Sequence, residues 1–128
     1  MTNYLLDTHT VLWAFGNRKK LSSAAVRAID DPANKKYVSI ASAWELAIKI
    51  GKGNIVFEGG VELFFRTVRK NGFGVLSVKP KHVKIIETLP RLHGDPFDRI
   101  LVASAMSEGM SIITKDENIQ KYDVPWIW

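Results

Sequence analysis

The chain has 128 residues and no cysteine, a length that fits one domain and a composition that excludes both a disulfide framework and a thiolate metal site. Its three histidines, His9, His82 and His93, are dispersed and form no His-based zinc motif, so a bound metal would be held by oxygen. A formal net charge of +5 beside 13 acidic residues suits a polyanionic partner if cations and carboxylates are segregated, or plain solubility if they are not.

No apolar run approaches the roughly 20 residues of a membrane span, and the opening MTNYLLDTHTVLW lacks a basic n-region. The expectation is a cytoplasmic protein with no membrane association. Repeats, Pro-rich linkers and low-complexity tracts are missing, and apolar residues are spread throughout, so residues 1–128 read as a single domain.

Residues 4–6 form an apolar run closed by Asp7-Thr8, and a helical stretch over 10–15 is broken by Gly16-Asn17. Ser22 or Ser23 caps a second helix over 24–29, which ends at Asp31-Pro32. Residues 36–40 (KYVSI) read as the second strand, and 41–50 as a helix with Ala43, Leu46, Ala47 and Ile50 on one face. A further amphipathic helix covers 61–68 and stops at Asn71-Gly72; the third strand is 74–78 (GVLSV). Pro80 opens another helix, and Asp95-Pro96-Phe97-Asp98 opens the next, which Gly109 ends. Residues 111–114 (SIIT) form the fourth strand, and 124–128 (VPWIW) a short edge strand, because Pro125 cannot donate to an interior ladder. Strands alternating with helices predict an α/β fold whose parallel sheet is covered on both faces.

Four acids stand at strand exits or early in helices: Asp7, Glu45, Asp98 and Asp116. Each has an ordinary structural alternative. Asp7 can cap the first helix, and Ser42-Ala43-Trp44-Glu45 matches a capping box, with Lys49 as an i,i+4 partner of Glu45. Asp95 and Asp98 fit a cap and an acid in the first helical turn, while Asp116 fits an ordinary turn. Taken together, the four positions open at the carboxyl edge of a parallel sheet, where such folds keep their ligand crevice. Carboxylates gathered there repel one another without a cation, and Mg²⁺ or Mn²⁺ is satisfied by two direct carboxylates with water completing the shell. Such a site would activate water against a phosphodiester, and Thr8, Ser42 and Thr114 are candidates to hydrogen-bond its ligands.

The segments Leu5-Leu6-Asp7-Thr8-His9, Ser39 to Leu46 (SIASAWEL), His93-Gly94-Asp95-Pro96-Phe97-Asp98-Arg99 and Thr114-Lys115-Asp116 closely resemble, in order and spacing, a PIN-domain ribonuclease of the VapC-like toxin type. HGDPFDR is the most specific of the four. The resemblance implies a PIN-like three-layer fold, with a central parallel sheet of four to five strands flanked by helices. It makes Asp7, Glu45, Asp98 and Asp116 the acidic quartet of a metal-dependent endoribonuclease using Mg²⁺ or Mn²⁺. Asp7 and Asp98 would touch the cation directly; Glu45 and Asp116 would act through water, a second ion or the nucleophile. It further implies a homodimer, a cognate antitoxin and arrest of translation by cutting a structured RNA.

Arg18, Lys19, Lys20, Lys35, Lys36, Lys79, Lys81, Arg91 and Arg99 are candidate phosphate contacts, Arg99 foremost because it adjoins Asp98, though a structural ion pair fits it equally. Trp13, Trp44, Trp126 and Trp128 read as core or interface rather than stacking platforms, and Phe64 and Phe65 as core or an antitoxin-facing helix face. Competing functions are a Mg²⁺-dependent DNA or flap nuclease and an RNA-binding module that does not cleave. A receiver-like phosphoacceptor domain fits less well, since the third strand runs into Lys79-Pro80.

Overall fold

A computed structural model describes residues 2–128. Five strands, β1 (Asn3–Leu6), β2 (Lys35–Ser39), β3 (Gly74–Leu76), β4 (Ser111–Ile113) and β5 (Trp126–Ile127), form one sheet in the order β3-β2-β1-β4-β5. All four pairings are parallel. Seven helices connect them among the described residues: α1 (Thr8–Gly16), α2 (Ser23–Asp30), α3 (Ile40–Gly51), α4 (Gly60–Lys70), α5 (Pro80–Thr88), α6 (Pro96–Glu108) and α7 (Glu117–Gln120). A 3-10 turn at Arg18–Lys20 joins α1 to α2.

The sheet has a core on each side because side chains alternate along a strand. Leu6 and Ile113 face a cluster with Val38 of β2 and with Val11, Ala25, Leu46, Phe64 and Val68, brought by α1 to α4. Leu5 and Ile112, their immediate neighbours, face Leu76, Leu101, Val102, Ile119 and Tyr122 from β3, α6, α7 and beyond. These two residue pairs are fully buried, which explains why the strands read as continuous apolar runs rather than as alternating ones. The result is the three-layer α/β arrangement expected from sequence.

The chain lays down β1, β2 and β3 in one direction, then returns to place β4 and β5 on the other side of β1. The reversal between β1 and β4 opens a crevice at the carboxyl ends of those two central strands. Asp7 leaves β1 at that point, and Thr114 to Asp116 leave β4.

Several boundaries differ from the sequence reading. Residue 40 is already helical, and Ser39 caps α3 by accepting from the Ala41 N–H at 3.0 Å. Ser42 therefore lies inside the helix, and the capping-box reading of Ser42 and Glu45 fails. Strand β3 stops at Leu76 instead of 78 because its neighbour ends there: the last paired residues are Ser39 and Leu76. Helix α4 begins at Gly60 and runs to Lys70, longer than the apolar stretch that announced it. Asp116 is the N-cap of the short helix α7, not a simple turn residue. At the far edge, β5 is reduced to two residues, with the Pro125 carbonyl accepting from Ile112 N–H at 2.9 Å.

Candidate active site

Asp7 is the hub of the crevice. It is 4% exposed and caps α1, with Oδ1 accepting the Thr10 N–H at 2.8 Å. Its Oδ2 accepts the hydroxyl of Thr114, a fully buried residue just past β4. Thr114 Oγ1 in turn accepts the Asp116 N–H at 3.0 Å, so one hydroxyl ties the exits of both central strands. Burial raises the Asp7 carboxyl above its ordinary range, against the opposing pull of the Thr114 and Thr10 hydrogen bonds.

Asp98 enters from the first turn of α6. Asp95 caps that helix through the N–H groups of Phe97 and Asp98, at 2.9 and 3.3 Å, which frees the Asp98 side chain from capping duty. Burial first, then the charge of Asp95, pushes the Asp98 carboxyl up to about 7; Asp116 adds to the rise, and a hydrogen bond from His93 opposes it. Asp98 and Asp116 are thus electrostatic neighbours, although more than a dozen residues separate them in sequence.

Glu45 takes a different position. Its Oε1 accepts the Thr8 hydroxyl at 2.8 Å and its Oε2 the Lys49 ammonium at 2.8 Å. Thr8 Oγ1 also lies 2.9 Å from Ser42 Oγ. A hydroxyl carries one proton, so with Thr8 donating to the carboxylate, Ser42 donates to Thr8. Glu45 reaches the crevice through Thr8, the residue next to Asp7, and carries its own counter-charge.

Among the described residues no three His, Cys, Asp or Glu side chains stand close enough to enclose a metal ion by themselves. Asp98 and Asp116 are brought together, Asp7 is linked to Asp116 through Thr114, and Glu45 stays at the margin. The donor chemistry nevertheless suits a hard cation. Every candidate ligand is a carboxylate oxygen, two carboxylates with retained water suffice for Mg²⁺, and Asp98 is crowded by like charges that a cation would relieve. Among the described residues Oδ1 of Asp98 has no protein hydrogen-bond partner, whereas Oδ2 takes His93 Nε2 at 3.2 Å.

His93 and Tyr122 were not singled out by sequence reasoning as site residues. His93 Nδ1 lies 2.8 Å from Tyr122 Oη, which accepts from Arg99 Nη1 at 3.0 Å. Guanidinium groups only donate, so for a neutral imidazole the order runs from Arg99 to Tyr122 to His93 to Asp98. Two further Arg99 donors, on Nη1 and Nη2, go to the carbonyls of Pro90 and Leu89, at 2.8 and 3.2 Å. Arg99 is therefore a structural anchor, not the phosphate contact its place beside Asp98 suggested. The position of His93 within HGDPFDR was the available signal; Tyr122 had none.

Other basic candidates are also engaged. Arg18 forms a two-pronged pair with Asp30, both contacts at 2.8 Å, and Lys79 and Lys81 pair with Glu108 at 3.6 and 3.1 Å. Around Asp7 and Asp116 the crevice encloses about 350 Å³ and is completed by His9, Trp13, Lys115 and Glu117. Trp13 and Trp128 pack together at 5.9 Å, Phe64 is core, and Trp44 is 64% exposed.

Known proteins match this chain along nearly all its length. It is 29% identical over 126 residues to Ribonuclease VapC22 of Mycobacterium tuberculosis, covering 98% of this chain and 95% of that one. The DNA-bound VapBC structure from Salmonella typhimurium superposes with a TM-score of 0.72 at 15% identity, covering 99% of this chain and 98% of the matched one. VapBC2 from Rickettsia felis, bound to a DNA fragment from its promoter, gives 0.70 at 12% identity, with 98% of each chain covered. The family model described as PIN domain matches residues 4–125, a span that takes in both strand exits and every carboxylate of the crevice, and the chain belongs to the PIN-domain family.

Proposed function

We propose that the protein is a metal-dependent endoribonuclease and the toxin half of a toxin–antitoxin pair, acting in the cytoplasm to arrest translation. The observation that carries this reading is the crowding of Asp98 by Asp95 and Asp116, with Asp116 tied through Thr114 to buried Asp7, at the switch point of a parallel sheet. Membership of the PIN family and the full-length likeness to a curated VapC ribonuclease support it. The likeness to VapBC complexes supports a cognate antitoxin as partner, and a homodimer is part of the same proposal.

In this reading Asp7 and Asp98 would hold a Mg²⁺ or Mn²⁺ ion. That ion, when bound, lowers the pKa of water and neutralises charge on the phosphate. Asp116 orients the attacking water from the α7 side. Glu45, with Thr8 and Ser42, fixes the start of α1 and so the direction of Asp7. Hydrolysis by a water so placed would have no need of the ribose 2′-hydroxyl.

The test is cleavage of total cellular RNA, and of matched DNA, by antitoxin-free protein with Mg²⁺, Mn²⁺ or EDTA, beside Asp7→Asn and Asp98→Asn. Discrete RNA products that need metal and vanish in both variants are expected. Equal activity in wild type and variants would refute the site, and preferential cutting of DNA would refute the substrate.

A further inference from the structure

The crevice extends beyond its carboxylates to two rings that the hydrolytic chemistry does not use. His9 and Trp13 are four residues apart on α1 and so share a face of the helix; their ring centroids lie 5.9 Å apart at 40°. Both line the same opening as Asp7 and Asp116. Trp13 is half-buried and backed by Trp128, with rings 5.9 Å apart at 58°, while Lys20 Nζ lies 5.6 Å from the indole centroid. Trp128 and Lys20 thus brace the indole. His9 is exposed although Thr8 and Thr10 on either side of it are buried. An exposed imidazole and a braced indole at the edge of the core, side by side at the rim of a carboxylate site, make a platform.

The sequence reading assigned Trp13 to core or interface because it lay on an apolar periodicity. The structure gives it a second environment. The volume of about 350 Å³ lies at the lower end of ligand-pocket sizes, the class of one nucleotide rather than of a helical segment. Lys115 lines the opening and Lys20 flanks it, both exposed, so positive charge stands beside the rings where a strand's phosphates would run.

We propose that this crevice is a nucleobase subsite: one unpaired base next to the cut phosphate stacks on His9 and Trp13, with Lys115 and Lys20 contacting the flanking phosphates. This rests on the ribonuclease reading above and adds to it two specificity-determining side chains, His9 and Trp13, that read a base left unpaired at the cut. A base inside an A-form duplex keeps both faces in its own stack and cannot offer one to the protein, whereas loop bases are free to splay onto aromatic planes. Stacking accepts any base, so the subsite selects unpaired over paired nucleotides more strongly than it selects sequence.

The experiment is steady-state cleavage of a fluorescein-labelled hairpin RNA by the full chain with Mg²⁺, comparing wild type, His9→Ala, His9→Phe and Trp13→Leu, each checked for wild-type-like thermal unfolding. A second hairpin carries an abasic nucleotide beside the mapped cut. Loss of one stacked base costs about tenfold in apparent affinity, so His9→Ala and the abasic substrate are each expected to raise KM about tenfold with a smaller change in kcat. His9→Phe retains the ring and should restore KM. If His9→Ala and Trp13→Leu cut with wild-type KM at unchanged positions, or if His9→Phe is as impaired as His9→Ala, the stacking subsite is wrong while the nuclease stands. Failure of wild type to cut any RNA would instead refute the ribonuclease reading on which the subsite rests.

Discussion

Asp7 uses its two oxygens for different elements, Oδ1 for the start of α1 and Oδ2 for the Thr114 hydroxyl. Thr114→Val keeps the side-chain shape but strips a buried acceptor of its donor, which costs about 1–3 kcal/mol; urea unfolding should show that loss, together with slower RNA cleavage. At Asp98 the restraint comes through His93. Tyr122→Phe interrupts the run of hydrogen bonds behind it, and outer partners of a metal ligand typically matter about tenfold or more in metal affinity. Calorimetric titration with Mn²⁺ should show such a weakening in a variant that still folds. Metal itself should stabilise the protein: a concentration of Mg²⁺ a hundred times its dissociation constant adds about 2.7 kcal/mol, visible as a rise in Tm that EDTA abolishes and that Asp98→Asn lacks. The sequence made the carboxylates legible because strand-exit position is a local property. It could not show that Arg99 is consumed by the carbonyls of Leu89 and Pro90 or that Tyr122 stands behind His93, because those contacts depend on where α6 and the segment after α7 settle.

Among the elements, α5 and α6 are joined by a histidine. His82 is fully buried; its Nδ1 accepts the Lys79 N–H at 3.1 Å, so the proton sits on Nε2, 2.7 Å from Glu108 Oε2. The start of α5 is thereby fastened to the end of α6. Hydrogen bonds from His82 and Lys81, then the charges of Lys79 and Lys81, hold the Glu108 carboxyl down at about 2, below its ordinary value of 4.5. A carboxyl held down in the folded state contributes stability in full above about pH 4.5 and loses it as pH falls toward 2. Wild type should therefore lose more stability than Glu108→Gln between pH 5 and about pH 2.5, read as the difference between their urea midpoints. Gly109 closes α6 with φ of +68° and open space where a Cβ would go, so Gly109→Ala should cost about 1 kcal/mol from backbone strain alone. The ends of α6 were readable from Asp95-Pro96 and Gly109, whose backbone demands are local. The start of α3 was read one residue late and its cap was read at Ser42 instead of Ser39, because the two serines are equally good caps on paper and only the end of the β2 ladder at Ser39 decides between them.

For the whole molecule, alternating strands and helices made the layered architecture legible, and the continuous apolar runs marked strands covered on both sides. Strand order was not legible, because it depends on which faces bury best together, as when Leu5 and Ile112 meet one set of helices while Leu6 and Ile113 meet another. The +5 charge, too, acquires meaning only from placement. Arg18, Lys79, Lys81 and Arg99 are engaged by protein partners, whereas Lys20 and Lys115 stand by the crevice. With two phosphates met in this way, the affinity for single-stranded RNA should fall with a log–log salt slope of about −1.4, measured by anisotropy over a salt series; a slope several times steeper would place many more cations on the path. The Thr114 to Asp7 hydrogen bond closes a loop of chain across 107 positions. Contacts so distant in sequence form slowly, and β1 stays without one of its flanking strands until β4 has been synthesised. A growing chain consequently has no assembled crevice until its last strands arrive, so under the proposed nuclease reading incomplete products would be unable to cut RNA.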